Sequence, residues 1–269
     1  MLLVLLPSSV VIALSATDYQ FGMDGMRFVG LANYRTLATD PRFAGIFANT
    51  LSYVAIVVPS SVAIGLLLAV LLESAGALKI VYRSAFFLPV TSTLVALATA
   101  WEVLLHPNFG LVNALLASLG FERQRFLSDP ALALSTLAAI GVWKQVGFNV
   151  LLFTAGIATI PRDLYEAASV DGADRGWARF AMVTGPMIGP VFVFVTVISL
   201  IRAFSEFETV AVLTQGGPIG ATNLVLYGLY EEAFRFFDIG LASALAVVFL
   251  GFVTTLSLLK TRLLDRWVR

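Results

Sequence analysis

The stretch Leu51–Leu72 runs for 22 residues without an Asp, Glu, Lys or Arg. A helix of about 20 mostly apolar residues is the length that spans the hydrocarbon core of a bilayer, and a helix apolar on every side has to be buried in protein or lipid. Five further segments approach the same description: roughly Leu2–Ala16, Ser84–Leu105, Ala131–Ala158, Met187–Ser205 and Ile239–Leu259. Composition agrees. Hydrophobic residues are 59% of the 269 and charged residues 13%, against about 45–50% and about 25% in soluble domains, and mean hydropathy is +0.91. A soluble fold of this make-up would have to cover its surface with apolar side chains. The sequence therefore predicts an all-α polytopic membrane protein: a single transmembrane domain over residues 1–269 with six transmembrane helices. The first span is short. At 1.5 Å per residue it reaches roughly 24 Å against a core of roughly 30 Å, and no basic residue precedes it as in a secretory signal peptide. Either this helix is thin or tilted, or the true start lies upstream; the second is expected.

Several function classes fall away. Seventeen basic residues balance 17 acidic ones, so no polybasic surface points to nucleic acid. The absence of cysteine removes disulfides, thiolate zinc sites, thiol nucleophiles and iron–sulfur clusters. A single histidine, His106, excludes an HExxH metal site and leaves a Ser-His-Asp triad without support; with Pro107 it reads as a turn at the membrane edge. No catalytic residue, metal ligand or resident cofactor is expected, and an intramembrane enzyme would lack its G-x-S-x-G elbow or paired carboxylates.

Basic residues in short loops set orientation. Glu73–Arg83, Thr159–Gly185 and Lys260–Arg269 hold nine Lys and Arg, whereas Thr17–Asn49, His106–Pro130 and Glu206–Asp238 hold six. The bias puts both termini and the Thr159–Gly185 loop in the cytoplasm. On the outer side, Phe28–Phe47 and Gly110–Phe126 mix apolar and polar residues at near-helical spacing and read as short interfacial helices.

The cytoplasmic loop 159–185 carries the most information. Pro161 suits a first helical turn, Asp163 complements the positive end of the helix dipole, and Leu164, Ala167 and Ala168 fall at i, i+3 and i+4 on one narrow face. Gly172 offers the left-handed conformation that ends a helix. A second helical segment, Arg175–Thr184, leads through Pro186 and Pro190 back into the membrane.

Ile160-Pro161, then Tyr165-Glu166-Ala167-Ala168, Asp171-Gly172-Ala173, an aromatic pair and a later proline closely resemble the EAA loop of the membrane subunits of bacterial binding-protein-dependent ABC importers. The resemblance covers nearly the whole chain. Gly30-Leu31-Ala32-Asn33-Tyr34, Asn49-Thr50-Leu51, Phe86-Phe87-Leu88-Pro89 with Trp101, and Trp143 with Gly147-Phe148 look like these permeases. Leu213-Thr214-Gln215-Gly216-Gly217-Pro218, Tyr230, Ala233-Phe234, and Asp238 through Ala242-Ser243-Ala244 look like the maltose and glycerol-3-phosphate branch. Two departures fall after the coupling helix: Gly176 is one additional residue before Trp177, and the usual Leu-Pro is Gly185-Pro186.

The resemblance implies a type I ABC importer permease fold with a cytoplasmic EAA coupling helix that sits in a cleft of a separate ATPase. Glu166 would be the polar anchor, Ala167 and Ala168 the close-packing face, and Asp171, Gly172 and Ala173 the turn; Glu166 would otherwise merely pair with Arg162 at i, i+4. It also implies the partners: a second, homologous permease subunit in a heterodimer, two cytoplasmic ATPase subunits that bind ATP and Mg, and an extracytoplasmic solute-binding protein, all at the bacterial inner membrane. The sequence agrees on one point, having no G-x-x-x-x-G-K-[ST] phosphate loop, so ATP chemistry of that kind lies elsewhere.

Lys144, near the middle of the fourth span, would cost about 2.5–3.5 kcal/mol in lipid and should face the bundle interior or a water-filled cavity. Gln145 and Asn149 share a stripe beside it, and Trp143 adds aromatic surface. Glu102 and the Arg202/Glu206 pair stand near the outer ends of spans three and five. Such groups could line the path of a sugar, polyol or glycerophospho compound, or pair with one another to fix helix register. A proton-coupled secondary transporter using Lys144, Glu102 or Arg202 is the alternative; a docking helix with small residues has no role there.

Overall fold

The computed structural model describes residues 2–23, 25–73 and 93–268; the expected third span and the Phe86–Pro89 motif therefore lie partly or wholly outside the described residues. Within them the chain is helical, apart from the isolated antiparallel bridges Thr17–Phe28 and Gln20–Asp238. Among the described residues, four helical runs are long and apolar enough to cross a membrane: Pro41–Glu73, Ala133–Ala158, Gly176–Leu213 and Ile239–Leu259. Leu5–Leu14 and Val95–Leu104 are shorter apolar helices.

The helix that contains Leu51 begins at Pro41, because Asp40 and Pro41 make a strong start. The Asp40 carboxylate accepts the Arg42 N–H at 2.8 Å, which caps a donor the helix cannot satisfy itself, and Pro41 has no N–H to lose there. Part of the segment expected to lie at the interface is thus the opening of a membrane-length helix, preceded by the short helix Ala32–Thr39. Within Gly110–Phe126 the helix is Leu111–Ser118.

The chain divides into two compact units. The first comprises Met1–Val54, Thr93–Ala138 and Phe204–Thr255. Its core packs Leu37, Phe43 and Ile46 against Val225, Ala244 and Leu245. Thr50 Oγ1 accepts the Val225 N–H at 3.0 Å, and Gly228 lies so close to Ile46 that a Cβ there would be 2.9 Å from its Cδ1. The second unit comprises Ala55–Ser92, Ala139–Ala203 and Leu256–Arg269. Here Leu72, Val146 and Val150 form one cluster. Small residues let helices approach: a Cβ on Gly65 would be 2.7 Å from Asn149 Cβ, and one on Gly156 would be 2.8 Å from the Val191 methyls. In lipid, where apolar surface gives helices no reason to separate from acyl chains, this close packing and interhelical hydrogen bonds hold them together.

Candidate functional site

In the second unit, a nine-residue helix, Arg162–Val170, is followed by Gly172 at φ +83°. Pro161 stands at the N-cap, one residue before the helix, and Asp163 occupies its first turn. The Ala173 N–H reaches back to the Ala168 carbonyl at 2.8 Å, the wide closing bond that a left-handed glycine makes possible. The two alanines of the motif point different ways. Ala168 is buried with Ile160, Ala173 and Val183, and Tyr165 packs against this cluster. Glu166, Ala167 and Asp171 are exposed, as are Leu164 and, at 87%, Val170. One side of the helix is therefore fastened to its own chain, and the other is presented outward.

What fastens it is more than apolar contact. The Tyr165 hydroxyl is 3.2 Å from Thr184 Oγ1, and the Arg179 guanidinium lies 4.1 Å from the centre of the Tyr165 ring, a cation–π contact. Thr184 closes a π-turn, Phe180–Thr184, between the short helix Gly176–Arg179 and the long helix Gly185–Phe204. The additional residue Gly176 has φ +63°, a conformation glycine adopts without steric cost, and it turns the chain from the loop into this helix. Trp177, 78% exposed, stacks on Phe180 with ring centres 5.3 Å apart. A groove of about 640 Å³ beside them is lined by Leu66, Val70, Ile157, Tyr165, Trp177 and Phe192. Arg179, Thr184 and Val170 were not singled out in the sequence; a cation, a hydroxyl and a helix-end valine carry no signal there until the fold brings Arg179 and Thr184 to Tyr165.

The polar residues of the Ala133–Ala158 helix meet partners within the same unit. Gln145 Nε2 donates to the Ser199 carbonyl at 3.0 Å. Ser199 Oγ donates to Asn149 Oδ1 at 3.0 Å, and Asn149 Nδ2 donates to Ser61 Oγ at 3.3 Å. Asn149 and Ser199 are fully buried, and Gln145 nearly so. Three helices are thereby joined through amide and hydroxyl groups. Beside this network Trp143 is exposed and Lys144 half-buried. The exposed Arg202 spreads over the Phe148 ring at 4.2 Å.

Glu102 and Glu206 belong to the first unit. Glu102 is exposed. Glu206 is buried, with Oε1 accepting the N–H and the Oγ1 hydroxyl of Thr209 at 3.2 and 2.7 Å, and with the buried Tyr53 hydroxyl hydrogen-bonded to it. No group of three or more His, Cys, Asp or Glu arranged to hold a metal occurs among the described residues.

Residues 36–269 match the family described as the binding-protein-dependent transport system inner membrane component. The chain belongs to this family. It is 34% identical over 251 residues to the sn-glycerol-3-phosphate transport system permease protein UgpA of Yersinia enterocolitica, covering 93% of this chain and 84% of the relative. It is also 34% identical over 268 residues to the "Probable ABC transporter permease protein YesP" of Bacillus subtilis, covering 98% and 85%. Among solved structures, a bacterial ABC transporter involved in import of the acidic polysaccharide alginate superposes with a TM-score of 0.85 at 22% identity, over 98% of this chain and 91% of that one. A second, of the alginate transporter with a pentasaccharide-bound periplasmic protein, gives 0.80 at 24% over 88% and 83%. The fold is that of an ABC importer permease. This binding-protein-dependent permease is a transport subunit and not itself an enzyme, and its family sets aside the proton-coupled carrier.

Proposed function

We propose that this permease imports a carbohydrate or related polar solute (a sugar, polyol or glycerophospho compound) at the bacterial inner membrane. It works with a second permease chain, two ATPases that bind ATP and Mg, and an extracytoplasmic solute-binding protein. Its six spans form one transmembrane domain with both termini in the cytoplasm. The helix Arg162–Val170 is its EAA coupling helix, seated in a cleft of the ATPase. The observation that carries this reading is the division of that helix into two sides. Ala168 and Ala173 hold it to the chain, while Glu166 and Ala167 face outward, where a small side chain admits close approach and a carboxylate supplies the polar anchor.

Closure of the ATPase pair then moves the helix, Tyr165 and Thr184 pass the displacement to the helix Gly185–Phe204, and the Ser199–Asn149–Gln145 network passes it across the bundle. In the second unit Trp143, Lys144 and Arg202, exposed or half-buried, are the groups offered to the solute. Gln145 and Asn149 hold helices of that unit in place. Nothing crowds a Cβ on Gly172, so Gly172→Leu strains the turn without a clash. Expected in proteoliposomes holding the assembled importer is ATP hydrolysis without uptake. Normal uptake by that variant would refute the coupling assignment.

A further inference from the structure

The loop Thr214–Asn223 of the first unit holds an isoleucine in a conformation suited to glycine. Ile219 has φ +52°, an outlier for a β-branched residue, and it is 96% exposed. The turn around it is tightly fastened. Asn49 Nδ2, from the helix Pro41–Glu73, donates to the Gly220 and Asn223 carbonyls at 2.8 and 3.3 Å. Thr222 Oγ1 donates to the Gly217 carbonyl at 2.5 Å and sits 2.8 Å from Thr214 Oγ1. Backbone bonds close Gly217 onto Thr214 and Ala221 onto Pro218, both at 2.9 Å. Below, Gly216 rests on the Tyr227 ring, where a Cβ would come within 2.9 Å. The loop is thus over-determined, and its one large apolar side chain projects between Pro218 and Gly220, clear of its neighbours.

Strain that a surrounding structure maintains points to use. We propose that Ile219 is a pre-set apolar anchor that enters a pocket on the extracytoplasmic solute-binding protein; this rests on the importer reading above and on the outer placement of the loop Glu206–Asp238. Lipid is a poor occupant, because irregular backbone is not exposed to hydrocarbon, so the tip stands in water. A hydrated solute gains nothing from an aliphatic side chain that offers neither a hydrogen bond nor an aromatic face. A permanent subunit interface is broad and apolar, whereas here one 96% exposed apolar side chain stands on a loop, Thr214–Asn223, otherwise made of Thr, Gln, Gly, Pro, Ala and Asn, the pattern of a single anchor within a polar rim. Fixing the backbone in advance removes an ordering cost from each docking event.

The test uses the full importer in nanodiscs with its tagged binding protein. Ile219→Gly relieves the strain, so its thermal midpoint should rise, while the binding-protein concentration that half-saturates ATPase stimulation should rise at least tenfold with basal hydrolysis unchanged. Ile219→Asn, which tolerates left-handed backbone but lacks the apolar body, should show the same docking loss. Because this chain has no cysteine, Ile219→Cys gives it a single labelling site, and with the cysteines of the other subunits replaced a photo-crosslinker there should capture the tagged binding protein. An unchanged half-saturation in both variants overturns the proposal, as does crosslinking to the second permease alone. Wild-type hydrolysis that no binding protein stimulates would instead undo the importer reading on which it rests.

Discussion

The hydroxyl of Tyr165 lies 3.2 Å from Oγ1 of Thr184, which joins the exposed helix Arg162–Val170 to the π-turn at the foot of the helix Gly185–Phe204. π-turns recur at functional positions in helices. This one places a polar contact where a displacement of the short helix would enter the long one. A single neutral hydrogen bond contributes about 0.5–1.5 kcal/mol, so its loss should loosen transmission without unfolding the chain. Tyr165→Phe and Thr184→Val are each expected to lower solute imported per ATP hydrolysed severalfold, and the double variant should do no worse than either. Additive losses would mean that the two groups do not act together.

The buried network predicts a different outcome at Asn149. Asn149→Leu removes hydrogen bonds to Ser61 and Ser199 and leaves their hydroxyls to find other partners. Interhelical hydrogen bonds in membranes average about 0.6 kcal/mol and reach about 1–2 kcal/mol, so the thermal midpoint of the detergent-solubilised importer should fall. Substrate affinity in the folded fraction should not change. A large affinity loss at an unaltered midpoint would instead favour a place for Asn149 on the solute path.

Two glycines separate conformational from steric cost. Gly176 has φ +63° and open space around a Cβ, whereas Gly65 lacks an unusual φ and would place its Cβ 2.7 Å from that of Asn149. Gly176→Ala should cost about 1–2 kcal/mol, the penalty of left-handed backbone for an L-residue. Gly65→Ala has to push two helices apart, and overpacking of this kind costs about 1–3 kcal/mol. The distinguishing measurement is the Gly65→Ala, Asn149→Gly pair, since removing the Asn149 Cβ removes the atom that is struck and should recover part of the Gly65→Ala loss, while the cost of Gly176→Ala should be the same with or without Asn149→Gly.

Glu232 predicts a pH dependence. Burial pushes its carboxyl above the ordinary glutamate value, outweighing the Arg42 guanidinium 2.6 Å away, and the nearby Asp238 and Glu231 charges push in the same direction. A group that holds its proton longer in the folded state than in the unfolded one contributes stability below its unfolded pKa, about 4.3, and loses it as pH rises through the higher folded value. The wild-type midpoint minus that of Glu232→Gln should therefore decline as pH is raised from about 4.3. A difference that grows over that interval would reverse the assigned direction.

Some of this molecule follows from the order of its residues alone. Long uncharged stretches such as Leu51–Leu72 can be satisfied only by burial in protein or lipid, and a helix must satisfy its own backbone there, so the helical class is written in one dimension. The turn at Gly172 is equally local, because a glycine between a short helix and Ala173 meets a need for positive φ that other residues meet poorly. The start at Pro41 is local too, set by Asp40-Pro41, ten residues ahead of the uncharged run. The direction in which a polar side chain faces is another matter. Gln145, Asn149 and Glu206 look like Lys144 and Glu102 when only spacing is considered, since each is a costly group in an apolar context. Ser61, Ser199, Tyr53 and Thr209 turned the first three inward; only Thr209 is a sequence neighbour, three residues from Glu206, while Ser61 and Ser199 come from distant segments whose approach to Asn149 is eased by the close packing at Gly65 and Gly156. Ala167 and Ala168 were parted in the same way: neighbours in sequence lie about 100° apart around a helix, and only the position of Ile160 and Val183 decides which of them is covered.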